Sequence, residues 1–161
     1  MKDIIIAPRI RPELFIFVKN GKAIAKQFTL GKNERLKSRK LIERVFREGK
    51  NFAFYPYRVY YINGIPRPGS SAHPVQFGVG IGKKNFKKAV DRNRIKRLTR
   101  EAYRLQKKIL QESARQKDKQ LALFLIYTGK ELPEYDKLYE KIGVILKKMV
   151  TITHENNADP A

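Results

Sequence analysis

The spacing of apolar side chains along the chain predicts three helices. A short amphipathic stripe covers residues 38–48, where Ser38 is a suitable N-cap and Gly49 a stop signal. A longer stripe, from residue 89 to about residue 109, has apolar side chains at alternating steps of three and four. Its members are Ile95, Leu98, Ala102, Leu105 and Ile109. A third helix is predicted in "EYDKLYEKIGVILKKMV", with inward side chains at Leu138, Ile142, Ile145, Leu146 and Met149.

Three other segments have patterns typical of strands. The β-branched and aromatic run after Pro56 predicts a strand over residues 57–62, followed by a loop rich in Gly and Pro. In "VQFGVGIG" apolar residues alternate with Gln76 and glycines, so one face meets a core and the other lets a group approach the backbone. The continuous apolar run "QLALFLIYTG" fits a strand buried on both faces.

These elements follow the order helix, strand, strand, helix, strand, helix. That order predicts an α+β fold, a small two-layer sandwich with helices against one sheet, over residues 31–152. Residues 1–30 form an extension, in which Asn20 and Gly21 favour a short hairpin; a poorly docked tail is the alternative. Residues 153–161 are predicted to be a disordered tail.

The composition points to a polyanionic partner. Lys and Arg number 36 against 15 Asp and Glu, which gives a formal net charge of +21 and a pI near 10.3. Nucleic acid is the expected partner, with an anionic membrane second. The chain has no cysteine, no apolar run long enough to cross a bilayer, and no signal-peptide core at its N-terminus. We therefore expect a cytoplasmic protein without a membrane partner.

Most of the positive charge is concentrated around the long helix. Residues 83–108 contain twelve basic and two acidic side chains. Like charges at i,i+4 spacing destabilise a helix by a few tenths of a kcal/mol each, so a phosphate-binding face is favoured over a merely solvated one. The side chains opposite the apolar stripe are Arg92, Lys96, Arg97, Arg100, Arg104 and Lys107. Arg94 lies beside the stripe, and Asn93 either fixes a geometry against RNA or makes a local hydrogen bond.

Aromatic residues lie close to cations in residues 52–61. They could form a stacking platform for bases, although ordinary core packing is equally open for any one of them. Strand alternation places Tyr57 and Tyr61 on one face and Tyr60 on the other, so only one set can line a cleft.

The stretch "KKNFKKAVDRNRIKRLTREAYR" resembles the signature of the bacterial ribonuclease P protein component. "RLKSRKLIERVFREG" and "YRVYYI" extend the resemblance, which covers about residues 33–150. It implies a fold like the second domain of ribosomal protein S5. It also implies an accessory subunit of an endoribonuclease in which ribonuclease P RNA, with its Mg²⁺, cleaves precursor tRNA to give the mature 5′ end. No cofactor would be bound by the protein alone.

The resemblance implies two RNA surfaces. The residues that match the catalytic RNA side are Lys83, Lys84, Lys88, Arg92, Asn93, Arg94, Lys96, Arg97, Arg100 and Arg104. The residues that match a cleft for the 5′ leader of precursor tRNA are Arg39, Ile42, Phe46 and Tyr60. Two positions depart from the family pattern: Gly82 stands where the family usually has Ser, and Ile42 where it has an aromatic residue. The N-terminal extension also has no counterpart.

The sequence offers no self-sufficient active site. His73 and His154 lack metal-ligand spacing, and no pair of carboxylates falls in a pattern that would hold two metal ions. We therefore expect no catalytic residue and no metal site on the protein. The alternatives are a general RNA-binding or ribosomal protein, and a DNA-binding protein. The broad, lysine-rich cationic face and the absence of helix-turn-helix spacing argue against the latter.

Overall fold

The computed structural model describes residues 29–65, 73–116 and 120–155. A short 3-10 turn, Lys32–Glu34, precedes the first helix. The helices are α1 (Arg39–Glu48), α2 (Ala89–Gln106), α3 (Lys108–Arg115) and α4 (Tyr135–Glu155). The strands are β1 (Lys50–Phe54), β2 (Tyr57–Ile65), β3 (Val75–Ile81) and β4 (Gln120–Tyr127).

The four strands form one mixed sheet in the order β1-β2-β4-β3. β1 pairs with β2 and β2 with β4 in antiparallel fashion, whereas β3 and β4 are parallel. A parallel pair needs a crossover connection, and α2 and α3 lie in the chain between these two strands.

The main core lies between one face of the sheet and the helices α2, α3 and α4. It contains alternate residues of the strands, among them Val59, Phe77 and Leu123, all at most 2% exposed. All five inward residues predicted for α4 are buried there. The α+β sandwich expected from the sequence is thus confirmed.

The opposite face of the sheet is covered in part by α1. A second, smaller cluster forms there around Val45 of α1, with Leu36, Ile65 and Ala122. Ser38 accepts a hydrogen bond from the Leu41 amide, and the Gly49 amide donates to the Val45 carbonyl, so the predicted limits of this helix are confirmed.

The strands differ from the sequence prediction in two ways. β1 is a fourth strand that the sequence pattern does not predict, because a proline is typical of a strand entry, whereas Pro56 follows a paired strand. β2 runs to Ile65 rather than residue 62, through an irregularity at Gly64, whose φ of 85° favours glycine.

The long predicted helix is in fact two helices. α2 ends at Gln106 and α3 begins at Lys108, so the apolar stripe changes direction at Lys107. As a consequence Ile109, predicted to face inward, is 45% exposed, and Leu110 is buried in its place.

The C-terminal helix is longer than predicted. α4 continues to Glu155, and the Thr153 hydroxyl lies 3.0 Å from that of Ser113 inside the core, so residues 153–155 are helical rather than part of a disordered tail. The predicted N-terminal hairpin and the rest of the tail lie outside the described residues. No described helix is long and apolar enough to cross a membrane.

Candidate nucleic-acid interface

Helix α2 is fixed to the sheet by a stripe that the apolar pattern only partly predicts. Ile95, Thr99, Ala102 and Tyr103 are fully buried, whereas Leu98 and Leu105 are only partly buried. Tyr103 stacks on Phe77 with ring centroids 3.8 Å apart, and the Thr99 hydroxyl lies 2.7 Å from that of Tyr57. Because of these two contacts, the helix is rotated about its axis relative to the orientation that the apolar pattern predicts, so that Thr99 and Tyr103 face the sheet.

The rotation leaves three of the six predicted cations of α2 exposed to solvent. Arg94, predicted beside the apolar stripe, is exposed, as are Asn93, Arg97 and Arg100. Lys96 is partly buried at the flank of the helix. The exposed face therefore carries three guanidinium groups at successive i,i+3 spacing, which suits an extended anionic surface such as RNA.

Two of the predicted cations are already engaged within the protein. The side chain of Arg104 makes two hydrogen bonds to the carboxylate of Glu101, one of them 2.8 Å long. Arg92 turns back and donates from Nη1 to the carbonyls of Phe86 and Lys87, at 2.8 and 2.6 Å. Arg92 therefore supports the loop that precedes its helix.

That loop, residues 82–88, is held at three points. Besides the bonds from Arg92, Phe86 is buried against the ring of Tyr127, and the amide of Asn85 donates to the carbonyls of Thr128 and Gly129. The four lysines of the loop are all exposed: Lys83, Lys84, Lys87 and Lys88. The loop thus presents a fixed cluster of cations at the N-terminus of α2.

Lys107 was predicted to lie on the cationic face of the helix, and this prediction is wrong. It is 5% exposed, and its Nζ lies 2.6 and 2.8 Å from the two carboxylate oxygens of Glu34, which is itself 4% exposed. Lys107 also donates to the carbonyl of Thr29, and Gln111 donates to Glu34. The side chain therefore joins the segment before α1 to the junction of α2 and α3 and is withdrawn from any RNA surface.

On the opposite face of the sheet, aromatic rings meet at the edge of α1. The ring of Phe46, which is 40% exposed, lies 4.8 Å from that of Tyr60 and 5.2 Å from that of Phe124, edge to face in both cases. Ile42, one turn earlier on α1, packs partly buried against the same cluster. Arg39, exposed at the first position of the helix, lies outside it.

The structure also settles which face of the tyrosine-rich strand lines this surface. Tyr57 and Tyr61 point into the main core, and Tyr60 points toward α1. Three of the four residues that match a leader cleft, Ile42, Phe46 and Tyr60, are therefore brought together.

The ring of Phe124 packs against the glycine face of β3. A Cβ atom at Gly78 would lie 2.5 Å from the Phe124 ring, and one at Gly80 would lie 3.0 Å from it. The group that approaches this backbone closely is thus a ring from the neighbouring strand. Its presence widens the aromatic surface beyond Phe46 and Tyr60.

The same face of the sheet extends from the aromatic cluster to the loop of residues 82–88. In the register of the sheet, Tyr60 is paired with Phe124 and Phe124 with Gly78, while Arg58 and Ile126 form the next row on that face. Successive rows on one face are about 7 Å apart. Arg58 is exposed, so a cation lies between the rings and the loop at the end of β3.

Comparison with known proteins identifies the family. The family model for ribonuclease P matches residues 30–150. A protein from Porphyromonas gingivalis strain W83, named ribonuclease P protein component, is 41% identical over 111 residues, which cover 67% of this chain and 77% of that protein. The chain belongs to the ribonuclease P protein family.

Other members of the ribonuclease P protein family agree in sequence and in fold. A protein of the same name from Chlorobaculum tepidum is 31% identical over 128 residues, covering 76% of this chain and 83% of that one. The ribonuclease P protein from Thermotoga maritima superposes with a TM-score of 0.55 at 25% identity, covering 71% of this chain and 96% of that one. The fold of the Staphylococcus aureus ribonuclease P protein also matches, with a TM-score of 0.55 at 20% identity and coverage of 71% and 94%.

In this ribonuclease P protein, the candidate cleft includes two residues that the sequence pattern does not single out, Phe124 and Arg58. Phe124 lies within a uniformly apolar run, which carries no alternation to show its face; the signal that could have found it is the glycine pair on the neighbouring strand. Arg58 follows from strand alternation, since it lies two residues from Tyr60. The departure at Gly82 creates no packing gap, because nothing lies within 4 Å of a Cβ placed there.

The described residues contain no group of three His, Asp or Glu side chains that could hold a metal ion. His73 lies 3.8 Å from Glu34, and His154 lies 3.2 Å from the hydroxyl of Ser113, so the two histidines serve separate local contacts.

Proposed function

We propose that this chain is the protein subunit of ribonuclease P, acting in the cytoplasm on precursor tRNA. The exposed face of α2 and the loop 82–88 bind the catalytic RNA, and the surface between α1 and the sheet holds the single-stranded 5′ leader. The cleavage itself is performed by the RNA with its Mg²⁺. The protein contributes charge and position and supplies no catalytic side chain.

The observation that carries this proposal is the placement of two different RNA-binding chemistries on opposite sides of one sheet. A cationic helix face suits the phosphates of a folded RNA, whose recognition is dominated by charge and shape. An open cluster of aromatic rings beside a cation suits the stacked bases of a single strand.

The arrangement also explains how the protein would help without touching the reacting atoms. Positive charge placed between two RNA molecules lowers their mutual repulsion and replaces part of the counterion atmosphere that they would otherwise need. The expected consequence is a lower requirement for Mg²⁺, with no metal ligand on the protein.

The test is cleavage of precursor tRNA by a bacterial ribonuclease P RNA at low Mg²⁺, with and without the purified chain. We expect the chain to increase the rate there and to lose this effect as Mg²⁺ is raised. A precursor with a one-nucleotide leader is the matched control for the cleft, since it lacks the bases that would stack.

If the chain binds RNA but stimulates no cleavage at any Mg²⁺ concentration, a general RNA-binding role replaces the proposal. Competition separates the third possibility: duplex DNA that displaces leader-containing RNA at equal concentration would indicate a DNA-binding protein instead.

A further inference from the structure

Four arginines converge on one cavity beside α2. The cavity has a volume of about 310 Å³ and is lined by Leu30, Arg35, Arg97, Arg100, Glu101 and Arg104. Three of the arginines lie on one stripe of the helix, at i, i+3 and i+7. Arg35 comes from a different part of the chain, the segment between the 3-10 turn and α1.

The charges around this cavity are unbalanced. Glu101 is its one acidic lining residue, and its carboxylate is bound to Arg104. The ion pairs of the described residues include none with Arg35, Arg97 or Arg100. Burial lowers the pKa of Arg100, and the nearby charge of Arg35 lowers it further. Guanidinium groups held together in this way repel each other until an anion lies between them.

The backbone of Arg35 is held in place before any ligand arrives. Its backbone forms a bridge with Phe77 of β3, and the next amide, that of Leu36, donates to the Phe77 carbonyl at 2.9 Å. On the other side, Glu34 is buried and bonded to Lys107 and to the Gly31 amide. Both neighbours of Arg35 are therefore fixed, which reduces the backbone entropy lost on binding.

We propose that Arg35, Arg97 and Arg100 form a clamp for a single phosphodiester group of folded RNA. Guanidinium groups bind phosphate oxygens in a planar, bidentate manner, and the volume lies within the range of ligand sites, so the cavity admits the attached sugar as well. The proposal rests on the proposed function, because it takes the partner of α2 to be RNA. The proposed clamp does not include Arg94, which is exposed but does not line the cavity.

The first experiment needs no RNA. The side-chain Nε–Hε signals of the full-length, ¹⁵N-labelled chain are titrated with dimethyl phosphate, a probe for the backbone diester, with chloride adjusted to constant ionic strength. We expect the signals of the three clamp arginines to move along one shared, saturating curve. Arg47, which is 77% exposed and paired with Glu48, should drift without saturating.

A parallel titration with inorganic phosphate distinguishes the source of the anion. Saturation by inorganic phosphate alone would overturn the assignment to a backbone diester and indicate a free or terminal phosphate. Equal, unsaturated drift of all arginines with both probes would overturn the clamp itself.

The second experiment measures affinity for ribonuclease P RNA as a function of salt. Arg35→Ala should weaken binding roughly ten- to hundred-fold and lower the slope of log K against log salt by about one phosphate. Arg35→Lys keeps the charge and is the safer variant for folding; it should keep the slope but lose most of the affinity, because an ammonium lacks the planar fork. Arg47→Ala removes the same charge outside the cavity and should change affinity by no more than a few-fold.

A double-mutant cycle completes the test. If Arg35 and Arg100 hold one phosphate, the double variant should bind little more weakly than either single variant, whereas Arg35→Ala and Arg47→Ala should be additive. Additive losses for Arg35 and Arg100 would contradict a shared ligand. Clamp variants that behave as Arg47→Ala, in a chain that still stimulates cleavage, would overturn the clamp and leave the proposed function standing. Saturating binding of dimethyl phosphate by a chain that does not stimulate cleavage would support the clamp and overturn the proposed function.

Discussion

At the residue scale, the buried ion pair between Glu34 and Lys107 determines how the segment before α1 is held. Burial alone would raise the pKa of Glu34, but the hydrogen bond and charge of Lys107 and the amide of Gly31 outweigh it and hold the pKa below its ordinary value. A carboxyl whose pKa is lower in the folded chain stabilises the fold above its unfolded pKa of about 4.3. This stabilisation is lost as the pH falls through the folded value.

The substitution Glu34→Gln tests this linkage. It leaves the Lys107 ammonium buried without a counter-charge, so we expect the free energy of unfolding at pH 7 to fall by about 3 kcal/mol. The difference between wild type and variant should shrink as the pH drops below about 4.3, measured by urea unfolding at a series of pH values. Glu112→Gln, which removes an exposed carboxylate 3.7 Å from Lys108, is the matched control and should change the free energy of unfolding at pH 7 by less than about 1 kcal/mol. Parallel curves for Glu34→Gln and wild type would contradict the role of this carboxylate.

Gly78 illustrates how one missing side chain shapes a surface. Gly78→Ala would force the Phe124 ring to move, since a Cβ there lies 2.5 Å from it, and overpacking of this kind destabilises by about 1–3 kcal/mol. Gly82→Ala is the matched control, because nothing lies within 4 Å of its Cβ. Thermal unfolding should separate the two variants, and equal melting temperatures would show that the ring has room to yield.

At the scale of the element, α2 shows both the reach and the limit of the sequence pattern. Its position, its cationic character and the roles of Ile95 and Ala102 follow from helical spacing. The rotation that buries Thr99 and Tyr103 does not, because it depends on a hydroxyl of β2 and a ring of β3 that only the fold brings near. The withdrawal of Lys107 likewise depends on Glu34, which lies 73 residues away in the chain.

The cleft between α1 and the sheet gives the prediction for Tyr60. If Tyr60 stacks on a base, Tyr60→Ala should weaken binding of precursor tRNA with a long leader by roughly 1 to 3 kcal/mol and leave leaderless tRNA unaffected. Tyr55→Ala is the control, since Tyr55 is 74% exposed at the turn between β1 and β2, away from the rings. Equal losses for both substrates in a direct binding assay would exclude a leader contact.

At the scale of the whole molecule, the sheet separates two surfaces. The helices α2, α3 and α4 lie on one face, and α1 with the aromatic cluster lies on the other. Strands β2, β3 and β4 and the helices that cover one face of the sheet could be predicted from alternation, a continuous apolar run and helical spacing. Strand β1 and the mixed pairing of the sheet could not, because they depend on contacts between segments distant in the chain. The second layer formed by α1 could not, because its stripe is compatible with either face of the sheet.

Removal of residues 1–28 tests whether the described elements suffice. These residues contain six basic and two acidic side chains, and the family match begins only at residue 30. We expect the shortened chain to unfold cooperatively and to stimulate cleavage at low Mg²⁺, with a smaller salt dependence of RNA binding. Loss of stimulation in a folded, shortened chain would assign the extension a direct role.

The pairing of Lys107 with Glu34 has a consequence for chemical footprinting. In the free protein, an amine-acylating reagent should modify Lys108, whose side chain is 66% exposed, long before Lys107, whose side chain is 6% exposed. Added RNA should shield the loop lysines Lys83 and Lys84 while Lys107 stays unreactive throughout. Two adjacent amines in one peptide thus form an internal standard: acylation of Lys107, read by mass spectrometry, reports that a molecule has opened, whatever is bound to its surface.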